Sequence, residues 1–96
     1  MSVAITSIQA YRDIQASGKE LSQMALVALY IEKHPGCTRL QASQELKLNE
    51  ARVAARTREL VKRGIIMELG YSFNTYTQAY SKRLWLAEGE NMRLAL

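Results

Sequence analysis

The segment from Thr38 to Ile66 reads TRLQASQELKLNEARVAARTRELVKRGII, and its first four residues already specify a helix start. The Thr38 hydroxyl can accept the orphan N–H three residues on while the Gln41 side chain reaches back to Thr38, which is the reciprocal pairing of a capping box. A helix beginning at Thr38 then carries Leu40, Ala42, Ser43 and Leu46 and gives way near Lys47-Leu48. Asn49 is a favoured N-cap for a second helix over residues 50–63. That helix sets Val53, Thr57, Leu60 and Val61 on one side and places Lys62 and Arg63 in its last turn, where cations suit the helix dipole. Gly64 ends it. Two short helices across a tight turn are therefore expected at the centre of the chain.

Upstream, Ile5, Ile8, Tyr11 and Ile14 recur at helical spacing, which predicts a short amphipathic helix over residues 5–16. Gly18 interrupts it. Leu21, Met24, Ala25, Ala28, Leu29 and Ile31 form a wide apolar face running to Lys33, where Pro35-Gly36 stops the helix. Downstream of Gly64 the period changes. Ile65-Ile66-Met67-Glu68-Leu69 is β-branched and strand-like, and Lys82-Arg83-Leu84-Trp85-Leu86 can return as its partner. The residues between, Gly70 to Gln78, are expected as a long hairpin tip.

The order helix, helix, short helix, turn, short helix, hairpin resembles a winged helix-turn-helix. Residues Thr38 to Leu46 look like the first helix of the motif. Asn49 to Leu60, with Val61-Lys62-Arg63-Gly64-Ile65-Ile66 as the exit, is similar to the recognition helix of winged-helix regulators such as the MarR group and small phage-encoded DNA-binding proteins. The fold expected is mostly α with a small antiparallel hairpin. It divides into an N-terminal helix (1–17), a winged helix-turn-helix domain (18–87) and a C-terminal tail (88–96). The resemblance implies a bacterial or phage transcriptional regulator in the cytoplasm. Helix 50–63 would enter the major groove of double-stranded DNA, and hairpin 65–86 would form the wing. The wing would present Tyr71, Ser72, Phe73, Asn74 and Thr75 where such regulators carry a charged tip.

Composition supports one folded domain. The 96 residues are 48% hydrophobic with a single Pro, so the chain has apolar matter enough for a core. The net charge of +4 is unevenly placed. Residues 1–36 hold three bases and three acids, whereas residues 37–84 hold nine bases against four acids, a net of +5. Charge concentrated on the motif is what phosphate neutralisation requires.

With Val53 toward the core and about 100° per residue, Arg52, Ala55, Arg58, Glu59 and Lys62 point outward and Arg56 sits on the border. Arg52 and Arg56 can pair bidentately with guanine, and Asn49 can pair with adenine. Ala55 allows close approach and can touch a thymine methyl. These four are the candidate base readers. Thr38, Arg39, Arg58, Lys62, Lys82 and Arg83 are the candidate phosphate contacts. Against this stands the plainer reading of a solvated basic face, in which Glu59 pairs with Arg56, Lys62 or Arg63.

The aromatic residues Tyr71, Phe73, Tyr76 and Tyr80 are expected as cross-strand pairs covering the core, with base stacking, minor-groove insertion or a protein-binding wing as the functional alternatives. Trp85 is expected to anchor the sheet. His34 should finish a helix end and Cys37 should be a small, half-buried side chain. One Cys and one His cannot build a disulfide or a zinc site, and neither glycine-rich phosphate loops nor paired carboxylates are evident. No metal, no cofactor and no enzymatic activity are therefore expected. The longest apolar run, Met24 to Ile31, is far shorter than a bilayer span, and Met1 to Ile5 does not read as a leader. The partners expected are double-stranded DNA and no membrane. Two further partnerships stay open: a homodimer through the first helix or the C-terminal segment, and a winged-helix module that binds a protein without touching DNA.

Overall fold

A computed structural model describes residues 8–87. The chain runs α1 (Ile8–Ala16), α2 (Gln23–Lys33), α3 (Arg39–Leu46), α4 (Glu50–Lys62), β1 (Ile66–Asn74) and β2 (Ala79–Leu86), the order of a winged helix-turn-helix. Residues 5–7 of the expected first helix and the expected tail 88–96 lie outside the described residues.

Each helix boundary has a chemical cause. Ser22 caps α2 by accepting the Ala25 N–H, and the His34 N–H closes its other end on the Tyr30 carbonyl at 2.9 Å. The capping box of α3 is complete. The Gln41 N–H donates to Thr38 Oγ1 at 3.2 Å, and the Thr38 N–H donates to Gln41 Oε1 at 2.8 Å. Lys47 turns the chain out of α3 in the left-handed region, at φ 56°. Asn49 Oδ1 then accepts the Ala51 N–H at 2.7 Å and starts α4.

The core gathers Ile8 and Tyr11 from α1, Val27, Ala28 and Ile31 from α2, Leu60 from α4, and Ile65, Ile66 and Leu84 from the hairpin. Fully buried Ala28 and Ala42 let neighbouring helices approach closely. Two expected core positions are corrected. Val61 is 38% exposed because it stands about 80° around α4 from Val53, outside the arc shared by Val53, Thr57 and Leu60. Ile14 likewise faces outward near the end of α1.

The hairpin also differs from expectation. Gly70 to Asn74 is strand rather than tip, and only residues 75–78 turn. Asn74 Oδ1 organises that turn by accepting the Tyr76 and Thr77 N–H groups. Pairing runs Ile66↔Leu86, Met67↔Trp85 and Glu68↔Leu84, slips by one residue, and resumes as Tyr71↔Lys82 and Phe73↔Tyr80. Gly70, at φ +82°, absorbs the extra residue as a bulge. The hairpin is tied to the helices through the loop after α2. The Gly36 N–H donates to the Leu84 carbonyl and the Leu84 N–H to the Cys37 carbonyl, each at 2.8 Å.

Gly36 has φ +85°, and a Cβ there would lie 3.0 Å from Trp85 Cη2. Gly18 has a similar φ of +80° with open space around it. Gly36→Ala is therefore expected to lower stability by about 1–3 kcal/mol, and by more than Gly18→Ala, since both pay the backbone term and only Gly36 adds a clash. Paired thermal melts of the two variants check this. Equal losses would mean that the Trp85 contact carries no cost.

Candidate nucleic-acid interface

Burial of Val53, Thr57 and Leu60 fixes the rotation of α4 about its axis. Thr57 is 1% exposed and tolerates burial because its hydroxyl donates to the Ala54 carbonyl at 2.9 Å. The opposite side carries Arg52, Arg58 and Lys62, all exposed, with Ala55 half-buried between them. Ala55, Arg56, Arg58, Lys62 and Glu68 line one open groove between α4 and β1.

Arg56 is half-buried, and its Nε is enclosed with no hydrogen-bond partner. A guanidinium held this way lacks the acceptor its geometry calls for.

Of the carboxylates near α4, Glu59 and Glu68 are paired, while Glu50 in its first turn forms no salt bridge among the described residues. Glu59 accepts from Arg63 Nε at 3.2 Å, so of its three possible partners it takes the one a full turn away. Glu68 pairs with Lys82 across the hairpin at 3.5 Å, and Glu32 of α2 pairs with Arg12 of α1. Among the described residues, no salt bridge engages Arg39, Arg52, Arg56, Arg58 or Lys62.

Several expected contacts have other duties. Thr38 is buried, and its hydroxyl is the α3 cap, so it is withdrawn from the expected phosphate contacts. Asn49 remains exposed, but its amide oxygen caps α4, which leaves the NH₂ group to face a ligand. Arg83 is half-buried and donates to the Tyr71 carbonyl at 3.3 Å and the Gly36 carbonyl at 3.4 Å, so it fastens the wing to the α2–α3 loop. Lys82 is exposed but shares its charge with Glu68.

The wing residues divide between two faces. Ser72, Asn74 and Thr75 line a groove against Gln41 and Gln44 of α3, to which Phe73 and Tyr76 also contribute. Tyr71 lies on the opposite face with Glu68 and Lys82. Phe73 and Tyr80 do pair across the strands, edge to face with centroids 5.0 Å apart. They do not cover the core, however. Phe73 is 46% and Tyr80 71% exposed, because the bulge and the length of the strands carry them beyond the helices. Trp85 anchors the sheet as expected, its Nε1 donating to the Leu69 carbonyl at 2.8 Å.

Two contributors escaped the sequence reading. Glu68 joins the wing to the α4 groove, and Gln44 faces the wing tip across the second groove. Helical spacing marks Gln44 as sharing a side with Gln41, three residues back. Nothing in the sequence marks Glu68.

The His34-Pro35-Gly36-Cys37 run joins α2 to α3. His34 stacks on Tyr30 with centroids 4.4 Å apart, while Cys37 is buried. Burial pushes the Cys37 thiol up to about 11 from its ordinary 9.0, outweighing a backbone hydrogen bond that acts the other way. A raised folded-state value means that the native chain holds this proton longer than the unfolded chain. Its contribution to stability is thus complete below about 9 and is lost as pH rises toward 11. Cys37 is expected to resist a water-soluble alkylating reagent at pH ~8 and to react fully on denaturation, as mass spectrometry would show. Rapid labelling of the native chain would contradict its burial. Among the described residues there is no group of three or more His, Cys, Asp or Glu able to hold a metal ion, and no helix long and apolar enough to cross a membrane.

Comparison with known proteins agrees with this geometry. Residues 29–67 match a family model described as winged helix-turn-helix DNA-binding. The solved structure of Streptococcus pneumoniae FabT in complex with DNA superposes with a TM-score of 0.51 at 24% identity, over 80% of this chain and 50% of that one. The present chain thus spans about half the length of that relative. A search of curated proteins gave no match.

Proposed function

We propose that the chain binds double-stranded DNA sequence-specifically and acts as a small transcriptional regulator of bacterial or phage type, working in the cytoplasm. The observation that carries this reading is the outward side of α4, where Arg52, Arg58 and Lys62, with Arg56 at its border, stand without salt bridges while Glu59 and Glu68 pair with Arg63 and Lys82. A merely solvated polar face accounts for the Glu59–Arg63 pair one turn apart, but not for the concentration of four further cations on a helix with so few acids to meet them. The matched family model and the DNA-bound neighbour point the same way.

In this reading α4 enters the major groove with its N-terminal half foremost. Arg52 and Arg56 address guanine edges, the Asn49 NH₂ reaches a base acceptor or a phosphate, and Ala55 keeps the helix close to the base edges. Arg39, Arg58, Lys62 and Lys82 hold phosphates. Lys82 must exchange its exposed Glu68 partner, which costs little. A single module of this size covers a small stretch of DNA, so two copies on a palindromic site would supply the rest of the affinity.

The test is an anisotropy titration of a labelled random duplex over a range of salt, followed by selection of bound sequences from a random pool. Four phosphate contacts predict a log–log salt slope of about −3 to −4 per chain. Selection should enrich one motif, palindromic if two copies bind. A folded chain that binds no duplex at low salt would refute the proposal.

A further inference from the structure

From Leu69 to Ser81 the hairpin carries no charged side chain, on a chain whose remaining motif is strongly basic. Tyr71, Phe73 and Tyr80 occupy one face of it, as their cross-strand partners require: Tyr71 opposes Lys82, and Phe73 opposes Tyr80. Tyr71 and Tyr80 are 63% and 71% exposed. The same face carries Glu68 nearer the helices, and Glu68 lines the groove beneath Arg58 and Lys62 of α4. The aromatic surface is thus continuous with the cationic one.

The rings bring no charge of their own to a phosphate, and the cation beside them, Lys82 opposite Tyr71, is paired with Glu68. An intact duplex is a poor match as well. The edge-to-face Phe73–Tyr80 pair, with centroids 5.0 Å apart, is bulkier than the single apolar wedge that minor-groove binders slip between base steps. Paired bases also keep their faces covered by their neighbours in the stack. Aromatic rings that continue a DNA-binding surface, without charge of their own, suit bases whose faces are open.

We propose that the Tyr71, Phe73 and Tyr80 face of the wing stacks on unpaired bases next to the duplex held by α4, so that the preferred substrate is a junction between double- and single-stranded DNA. The inference rests on the duplex binding proposed above.

The test compares a blunt duplex with the same duplex bearing a short oligothymidine tail, of either polarity, for the full-length chain and for the double variant Tyr71→Ala, Tyr80→Ala. Both side chains are exposed, so the variant should keep its fold, which circular dichroism verifies. The tail of favourable polarity is expected to tighten binding about tenfold for each stacked base, and the variant should lose that gain while binding blunt duplex as before. Blunt binding with no gain from either tail would overturn this inference alone. A gain that survives in the variant, or an equal loss on both substrates, would also overturn it. Self-association of the free chain that the variant abolishes, with no tail gain, would instead assign the face to a second copy. Failure to bind either DNA would remove the duplex reading as well.

Discussion

Replacing Arg52 and Arg56 together by methionine is expected to weaken binding to a selected duplex by about two orders of magnitude while leaving the melting temperature unchanged or raised. Each bidentate arginine–guanine contact is worth about 1–3 kcal/mol of discrimination, and two such contacts on one helix face lie close enough to act in concert. The stability side follows from the free protein. Arg52 is exposed and forms no salt bridge, so its loss costs the fold little. Arg56 keeps a buried Nε without an acceptor, which is a desolvation cost to the native state. Methionine fills much of the same stem volume and removes that cost. A residue that burdens the free fold and is needed only when ligand is present is a mark of a binding surface. Anisotropy on selected and scrambled duplexes, with thermal melts of the same samples, separates the two effects. A variant that melts much lower, or that binds selected sequence as tightly as the parent, would place Arg56 among the structural residues.

Leu84→Ala should produce the largest loss of stability, about 2–5 kcal/mol. Leu84 is fully buried, and its backbone holds the Gly36–Cys37 loop through two hydrogen bonds of 2.8 Å. Those bonds survive the substitution, so the expected loss is that of the side chain: its transfer free energy and the cavity left among Ile66, Leu60 and their neighbours. Several kcal/mol is a large fraction of the stability of a domain this small, and the variant should be partly unfolded at growth temperature. Chemical denaturation measures the difference. A cost below about 1 kcal/mol would show that the hairpin root is not part of the cooperative core.

The helical half was legible because its signals are local. Thr38 and Gln41 satisfy each other across one turn, Asn49 needs only the Ala51 N–H, and Gly64 ends α4 with φ +74°. None of these depends on a distant residue. The hairpin was less legible because register is not local. Gly70 reads as the start of a tip in sequence, yet it forms a bulge, and the strands run on to Asn74. That one-residue slip decides which side chains meet. It sets Tyr71 opposite Lys82 and leaves Phe73 and Tyr80 in the open instead of over the core.

The same logic divides the candidate site. Arg52, Arg58 and Lys62 stand where helical periodicity puts them, because rotation about α4 is fixed by its own apolar residues. Arg83 and Lys82 could not be assigned from sequence, since their acceptors belong to segments 12 to 47 residues away. The sequence offers Thr38 and Asn49 both as caps and as contacts. Thr38 serves only the helix, whereas Asn49 divides its two amide functions between helix and solvent.

The most direct measurement is the titration of the isotopically labelled chain with a bound duplex, followed through its backbone amide resonances. Shifts are expected to concentrate at Arg39 to Gln41, along Asn49 to Lys62 and at Lys82, with the α1 and α2 faces unmoved. Shifts centred on α1 and α2 instead, or no change in a folded chain at low salt, would contradict the proposed interface.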